Sequence, residues 1–208
     1  MVKVKICGIT NIEDALGSLD AGSDGLGFVF YRRSPRYISP QGAADIIRCL
    51  PENILKFGVF VNSKAEEIKQ IAQSSGINVL QFHGDETSIF CKMFDSYRIV
   101  KAFRINNDLE INRIADYDVF GYLFDTLVTD KPGGTGQIFD WNLLKCLKEK
   151  IECELFLSGG LNENNISMAL SIVRPDWVDV SSSVELKPGK KDIKKIKRFI
   201  SAAKRANL

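Results

Sequence analysis

Cys7 and Asp125 are the two residues of this chain best suited to move protons. Each stands at the end of a short apolar run, Val2–Cys7 and Val119–Asp125. An ordinary thiol ionises near pH ~8.5, so only a small fraction is thiolate at neutrality. A modest shift would make it a competent base. The plainer reading of Cys7 is a small buried hydrophobe, the commonest fate of a free cysteine. Asp125 ends the string GYLFD, where a carboxylate is not fully buried without a partner. It reads either as a capping or loop-anchoring residue, or as a general acid made weaker by partial desolvation.

Anion-binding chemistry is written elsewhere. Gly159 and Gly160 follow one apolar run, and Ser181, Ser182 and Ser183 follow another that contains Asp179. Small residues let backbone N–H groups approach a phosphate, and a short helix N-terminus there adds a favourable dipole. Either loop alone reads equally well as a tight turn. Arg36 lies in YRRSPRYIS, residues 31–39, and a guanidinium can grip a carboxylate through two parallel hydrogen bonds. A solvated loop arginine is the alternative. The stretch Lys131-Pro132-Gly133-Gly134-Thr135-Gly136 has the composition of a mobile lid. It lacks the Gly-Lys-Ser/Thr ending of a nucleotide-binding P-loop. His83, the only histidine, and Asp179 are further candidates for contact with substrate; a structural rim residue is the other reading of His83.

These residues make one site only if the elements carrying them converge. Short β-branched or apolar runs span Val2–Cys7, Gly25–Phe30, Lys56–Val61, Val79–His83, Arg98–Phe103, Val119–Asp125, Glu154–Leu157 and Trp177–Val180. Helical periodicity predicts helices over Pro40–Leu50, Lys64–Gln73, Glu86–Phe94, Trp141–Lys148, Asn164–Val173 and Asp192–Ala206, with Ser39, Asp85 and Asp140 as candidate caps. Strands alternating with helices imply a parallel sheet with crossover helices. Eight such units are what a closed (β/α)8 barrel, the TIM barrel, requires, and about 200 residues is its lower size limit. An open doubly wound sheet would carry a Gly-rich fingerprint after its first strand, where this chain has Cys7-Gly8-Ile9-Thr10. Functional groups of such a barrel gather at the C-terminal ends of the strands. Cys7, His83, Asp125, Gly159 and Ser181 all stand there. No linker or low-complexity stretch interrupts the pattern, which predicts one α/β domain over residues 1–208.

Composition narrows the partners. Lys plus Arg number 28 against 26 Asp plus Glu, a net charge of +2, without the basic excess of a nucleic-acid protein. The one basic cluster, Lys187 to Arg198, reads as the solvated face of a last helix. Five cysteines at scattered positions form no CxxC pair, so neither a disulfide framework nor a metal site is expected. No apolar run approaches the ~20 residues of a membrane span, and no signal peptide is visible. The expectation is a cytoplasmic protein, monomer or homodimer, acting on a small phosphorylated molecule.

Taken together and in order, these strings resemble the phosphoribosylanthranilate isomerase family of tryptophan biosynthesis. The matching stretches are KICGIT (5–10), GFVF with SPRYIS (27–39), GVFVN (58–62), LQFHGDE (80–86), FDT (124–126), GGTGQIFDW (133–141), LSGGLNENN (157–165) and DVSSSVELKPGKKD (179–192). The resemblance implies a (β/α)8 barrel that carries out an Amadori rearrangement without cofactor or metal. It implies Cys7 as general base, Asp125 as general acid and Arg36 as the group holding the anthranilate carboxylate. Gly159, Gly160, Ser181 and Ser182 would hold the phosphate. Members often carry Gly where this chain has Ser183; a serine would be costly there if the position needs φ > 0. Two other readings stand beside it. One is a histidine-pathway or dual-substrate isomerase on the same barrel, which typically uses an aspartate at the first strand end where this chain has Cys7. The other is a non-catalytic phospholigand-binding barrel, which should lack at least one of Cys7 and Asp125.

Overall fold

The computed structural model describes residues 1–104, 114, 116–125 and 141–206. Eight strands alternate with helices along it: β1 (Lys3–Cys7), β2 (Gly25–Val29), β3 (Leu55–Phe60), β4 (Val79–Phe82), β5 (Arg98–Arg104), β6 (Gly121–Asp125), β7 (Glu154–Ser158) and β8 (Trp177–Val180). Each pairs in parallel with the next, and β8 pairs with β1, closing the barrel. Every predicted run became a strand, with ends displaced by at most two residues. Such displacement is normal because strand ends are set by tertiary pairing rather than by local pattern.

The helices are α1 (Ile12–Asp20), α2 (Pro40–Ile47), α3 (Ala65–Ser75), α4 (Ser88–Cys91), α5 (Trp141–Lys148), α6 (Ile166–Val173) and α7 (Ile193–Arg205). Ser39 caps α2 as its sequence predicts, its hydroxyl accepting from the Gly42 N–H. Asp85 does not cap a helix. Thr87 caps α4 instead, and Glu86 is buried, accepting hydrogen bonds from the N–H groups of Asn62 and Gly84. Asp140 and the stretch Gly133, Gly134, Thr135 and Gly136 lie outside the described residues. After β8 the chain makes one 3-10 turn (Ser182–Val184) and a small antiparallel hairpin, β9 (Glu185–Lys187) with β10 (Lys190–Lys191).

Two apolar regions hold the barrel. The larger lies between the strands and the helices, as with Ile6, Leu26, Phe28, Leu80, Phe124 and Leu157. The second is inside the barrel, where Phe57, Val79, Val100, Leu123, Phe156 and Trp177 are buried. Phe156 and Trp177 stack at 5.1 Å between ring centroids. Large side chains burying ~1.5–3 kcal/mol each plug the N-terminal half of the barrel. The open C-terminal half is left for polar groups. Among the described residues, no helix is long and apolar enough to cross a membrane.

Candidate functional site

The C-terminal mouth of the barrel holds a cavity of about 310 Å³. Cys7, Arg36, His83, Asp125, Gly159, Gly160, Asp179, Ser181 and Ser182 all line it. The structure therefore brings together every described residue that the sequence singled out as a site candidate.

Cys7 ends β1 opposite Gly27 of β2. A Cβ at Gly27 would lie 2.7 Å from the Cys7 sulfur, so glycine there leaves room for the thiol. Burial pushes the thiol above its ordinary value, with Asp179 adding to the effect. Two cations pull the other way, Lys5 and Lys191. Lys5 is fully buried on the same strand and, two residues from Cys7, faces the same side. Its ammonium donates to Asp179 Oδ2 at 2.8 Å and to Gln81 Oε1 at 2.8 Å. Burial alone would lower the Lys5 ammonium, but Asp179 and Cys7 hold it above its ordinary value. The other carboxylate oxygen, Asp179 Oδ1, is buried with no hydrogen-bond partner among the described residues.

On the β6 side, Asp125 Oδ2 lies 3.4 Å from His83 Nε2. His83 follows β4, and its Nδ1 is 3.0 Å from the Gln81 amide nitrogen.

Arg36 is not a solvated loop arginine. Its guanidinium donates from Nε and Nη2 to the two carboxylate oxygens of Glu185, at 2.9 and 2.7 Å. Glu185 also accepts from Lys191 Nζ at 2.8 Å. Burial alone would raise the Glu185 carboxyl, but the bonds from Arg36 and Lys191 win and hold it below its ordinary value. Lys191 further donates to the Cys7 carbonyl at 2.5 Å. Burial pushes the Lys191 ammonium down, with Glu185 opposing. Arg36 is thus braced through Glu185 and Lys191 against the same strand end that carries Cys7.

Lys191 corrects the reading of Lys187 to Arg198 as one solvated face. It lies on β10 and is 2 % exposed, whereas Lys194, Lys197 and Arg198 of α7 are exposed as expected. A charge run marks composition, not direction, and here a hairpin turns one member inward.

The two small-residue loops follow the paired strands β7 and β8 and lie side by side at the cavity. Gly159 and Gly160 both take positive φ, at 87° and 65°, a backbone that disfavours other residues. Ser183 is not among the positive-φ residues, so its serine carries no backbone penalty. Its hydroxyl bonds the Leu161 carbonyl, tying the loop after β8 to the loop after β7. Ser181 donates to the Cys7 carbonyl at 3.0 Å. The predicted helix beside these loops is only a three-residue turn.

Sequence reasoning missed Lys5, Gln81, Glu185 and Lys191. The signal for the first two was present. β1 reads KVKIC, an alternation in which Lys3, Lys5 and Cys7 share one face and Val4 and Ile6 the other. Gln81 and His83 likewise stand two apart. Polar residues in phase with a strand-end candidate belong to the barrel interior. Nothing local marks Glu185 or Lys191, which reach the site through a hairpin of two and three residues.

Comparison with known proteins agrees with this geometry. The family model for N-(5'-phosphoribosyl)anthranilate (PRA) isomerase matches residues 4–202. The N-(5'-phosphoribosyl)anthranilate isomerase of Citrifermentans bemidjiense is 44% identical over 208 residues, covering 100% of both chains. A crystal structure of phosphoribosyl anthranilate isomerase with reduced 1-(o-carboxyphenylamino)-1-deoxyribulose 5-phosphate superposes with a TM-score of 0.89 at 43% identity, covering 99% of this chain and 100% of that one. Monomers generated from the dimeric phosphoribosylanthranilate isomerase of Thermotoga maritima give a TM-score of 0.88 at 43% identity, with the same coverage. With the match running from β1 into α7, and with identity this high across the whole barrel, the chain belongs to the N-(5'-phosphoribosyl)anthranilate isomerase family.

Proposed function

We propose that this chain, folded as one domain over residues 1–208, converts N-(5'-phosphoribosyl)anthranilate to 1-(2-carboxyphenylamino)-1-deoxyribulose 5-phosphate. The observation that carries the reading is one cavity lined by a thiol, a carboxyl, a guanidinium and two small-residue loops. The substrate is a phosphate joined to an aromatic carboxylate through a sugar, so its two anionic ends need separate sites. Gly159, Gly160, Ser181 and Ser182 take the phosphate. Arg36 takes the carboxylate; its Nη1, which Glu185 does not use, is directed by the Glu185 brace. Asp179 and His83 face the sugar between them, and Asp179 Oδ1 is a buried acceptor that a sugar hydroxyl would satisfy.

Asp125 donates its proton to the ring oxygen. The C1–O bond breaks and the furanose opens to an iminium at C1. That cation acidifies the C2 hydrogen. Cys7, as thiolate, removes it, and the electron pair forms the C1–C2 double bond of an enolamine while the nitrogen regains its pair. Protonation at C1 and loss of the enol proton give the ketone. Nothing is oxidised or reduced overall. The order of steps suits the electrostatics: burial disfavours the thiolate while Lys5 and Lys191 favour it, and the cation formed by ring opening makes the C2 hydrogen acidic when that base acts.

The site residues named here all belong to one chain, and monomer and homodimer alike would carry them. Incubation of the purified protein with N-(5'-phosphoribosyl)anthranilate, followed by chromatographic detection of the ribulose product, tests the reading. Product formation supports it. Failure to isomerise this substrate, with turnover of the histidine-pathway aminoaldose, would favour the other isomerase; tight binding without turnover would make the chain a binding protein.

A further inference from the structure

A chain of polar contacts crosses the barrel floor from β1 to β6. Lys5 Nζ donates to Gln81 Oε1 at 2.8 Å, Gln81 Nε2 lies 3.0 Å from His83 Nδ1, and His83 Nε2 lies 3.4 Å from Asp125 Oδ2. The direction of every contact follows from its first member. An ammonium has donors only, so the Gln81 oxygen must face Lys5. The Gln81 nitrogen therefore faces His83, and an amide nitrogen only donates. His83 Nδ1 must then accept, which leaves the ring proton on Nε2, toward Asp125. Lys5 and Gln81 are 0 % and 1 % exposed, so water does not compete for the bond between them, which sets the direction of the rest.

We propose that Lys5 and Gln81 are positioning residues that fix the His83 tautomer, so that His83 Nε2–H faces Asp125 Oδ2 and the transferable proton of the acid is held on Oδ1. A carboxyl oxygen that faces an N–H acts as acceptor, so the neutral carboxyl carries its proton on the other oxygen. The same N–H stabilises the carboxylate left when that proton goes to the sugar ring. The 3.4 Å separation is long for a hydrogen bond, and catalytic contacts of this kind commonly tighten only with substrate bound. The proposal rests on the reading of Asp125 as the acid.

The chain has one histidine, so its two ring nitrogens give unambiguous signals in a long-range 15N–1H spectrum of the full-length protein. At neutral pH the wild type should show Nδ1 unprotonated and Nε2 protonated. Gln81→Glu replaces the donor with an acceptor; it should put a proton on Nδ1 and lower kcat on the order of 10-fold, the low end for losing a partner that orients a functional histidine, with KM nearly unchanged. His83→Gln, whose amide nitrogen can stand in for Nε2–H, should retain clearly more kcat than His83→Leu. A wild-type spectrum with a proton on Nδ1 overturns the proposal. So does a Gln81→Glu enzyme with Nδ1 protonated and wild-type kcat, or equal losses in His83→Gln and His83→Leu. Full activity in Asp125→Asn would instead sink the assignment of the acid, while the tautomer is read independently of turnover.

Discussion

Cys7 sits between opposing influences. Enclosure by the barrel favours the neutral thiol, while the ammonium groups of Lys5 and Lys191 favour the thiolate. Cys91 is raised by the same cause: burial pushes its thiol up to about 11, with Lys101 opposing. The pH dependence of kcat/KM follows. If thiolate is the working form in the free enzyme, activity rises with pH through the thiol ionisation, and the raised value places that rise on the alkaline side of an ordinary cysteine. Lys5→Met removes one of the two cations, so the rise should move to still higher pH. A pH–rate profile of the variant overlying that of the wild type would show that Lys5 does not act on the thiol. At the other end of the substrate, Arg36→Ala should raise KM more than it lowers kcat, since a carboxylate clamp binds ground state and transition state alike. Steady-state kinetics separate the two. At this scale the sequence was legible where a reactive residue ends an apolar run, as with Cys7 and Asp125. It was mute on Glu185, whose role depends on where a hairpin delivers it.

β1, β2 and the β9–β10 hairpin form the support under the base. Gly27 is the tight point: an added Cβ would meet the Cys7 sulfur at 2.7 Å and the Cys7 Cα at 3.1 Å. Backbone on that side cannot yield as a long side chain can. Gly27→Ala should therefore cost ~1–3 kcal/mol, the usual scale of overpacking, and lower kcat by displacing the thiol. Urea unfolding and turnover measure the two effects. The hairpin contributes through charge. Glu185 is held below its ordinary value of 4.5 by Arg36 and Lys191, so its pairing stabilises the fold fully above that pH. That stabilisation is lost as pH falls below 4.5 and through the depressed folded value. Glu185→Gln leaves two cations poorly compensated and should destabilise the protein at pH 7 by about 3 kcal/mol, with a shallower loss of stability on the acid side. Equal acid unfolding curves for the two proteins would remove the hairpin from this account. The strands were readable from the sequence because barrel strands are continuous apolar runs flanked by turns. The hairpin was not, because its strands, of three and two residues, are too short to show a period.

The closed barrel is what turns residues scattered from 7 to 183 into one cavity. Parallel strands point their C-terminal ends to one rim, and the aromatic plug around Phe57, Phe156 and Trp177 closes the opposite half. Trp177→Ala, which removes the largest side chain of that plug, should cost about 3–5 kcal/mol with little change in KM, because the plug lies away from the substrate. Alternation of strand and helix patterns made this architecture legible, and with it the gathering of strand-end residues. Of the interior polar layer, Asp179 was legible as a site candidate; Lys5 and Gln81 were passed over because single polar residues inside apolar runs look like surface positions unless their phase with Cys7 and His83 is followed. Cys7 as the base of an isomerase is the assignment on which the other residue roles depend. Its most direct test is turnover of N-(5'-phosphoribosyl)anthranilate by the wild type and by Cys7→Ala, with folding of the variant checked by circular dichroism. The wild type should form the ribulose product, and folded Cys7→Ala should be slower by at least ~100-fold in kcat, the scale of general acid–base catalysis; a folded Cys7→Ala that retains near wild-type kcat would contradict it.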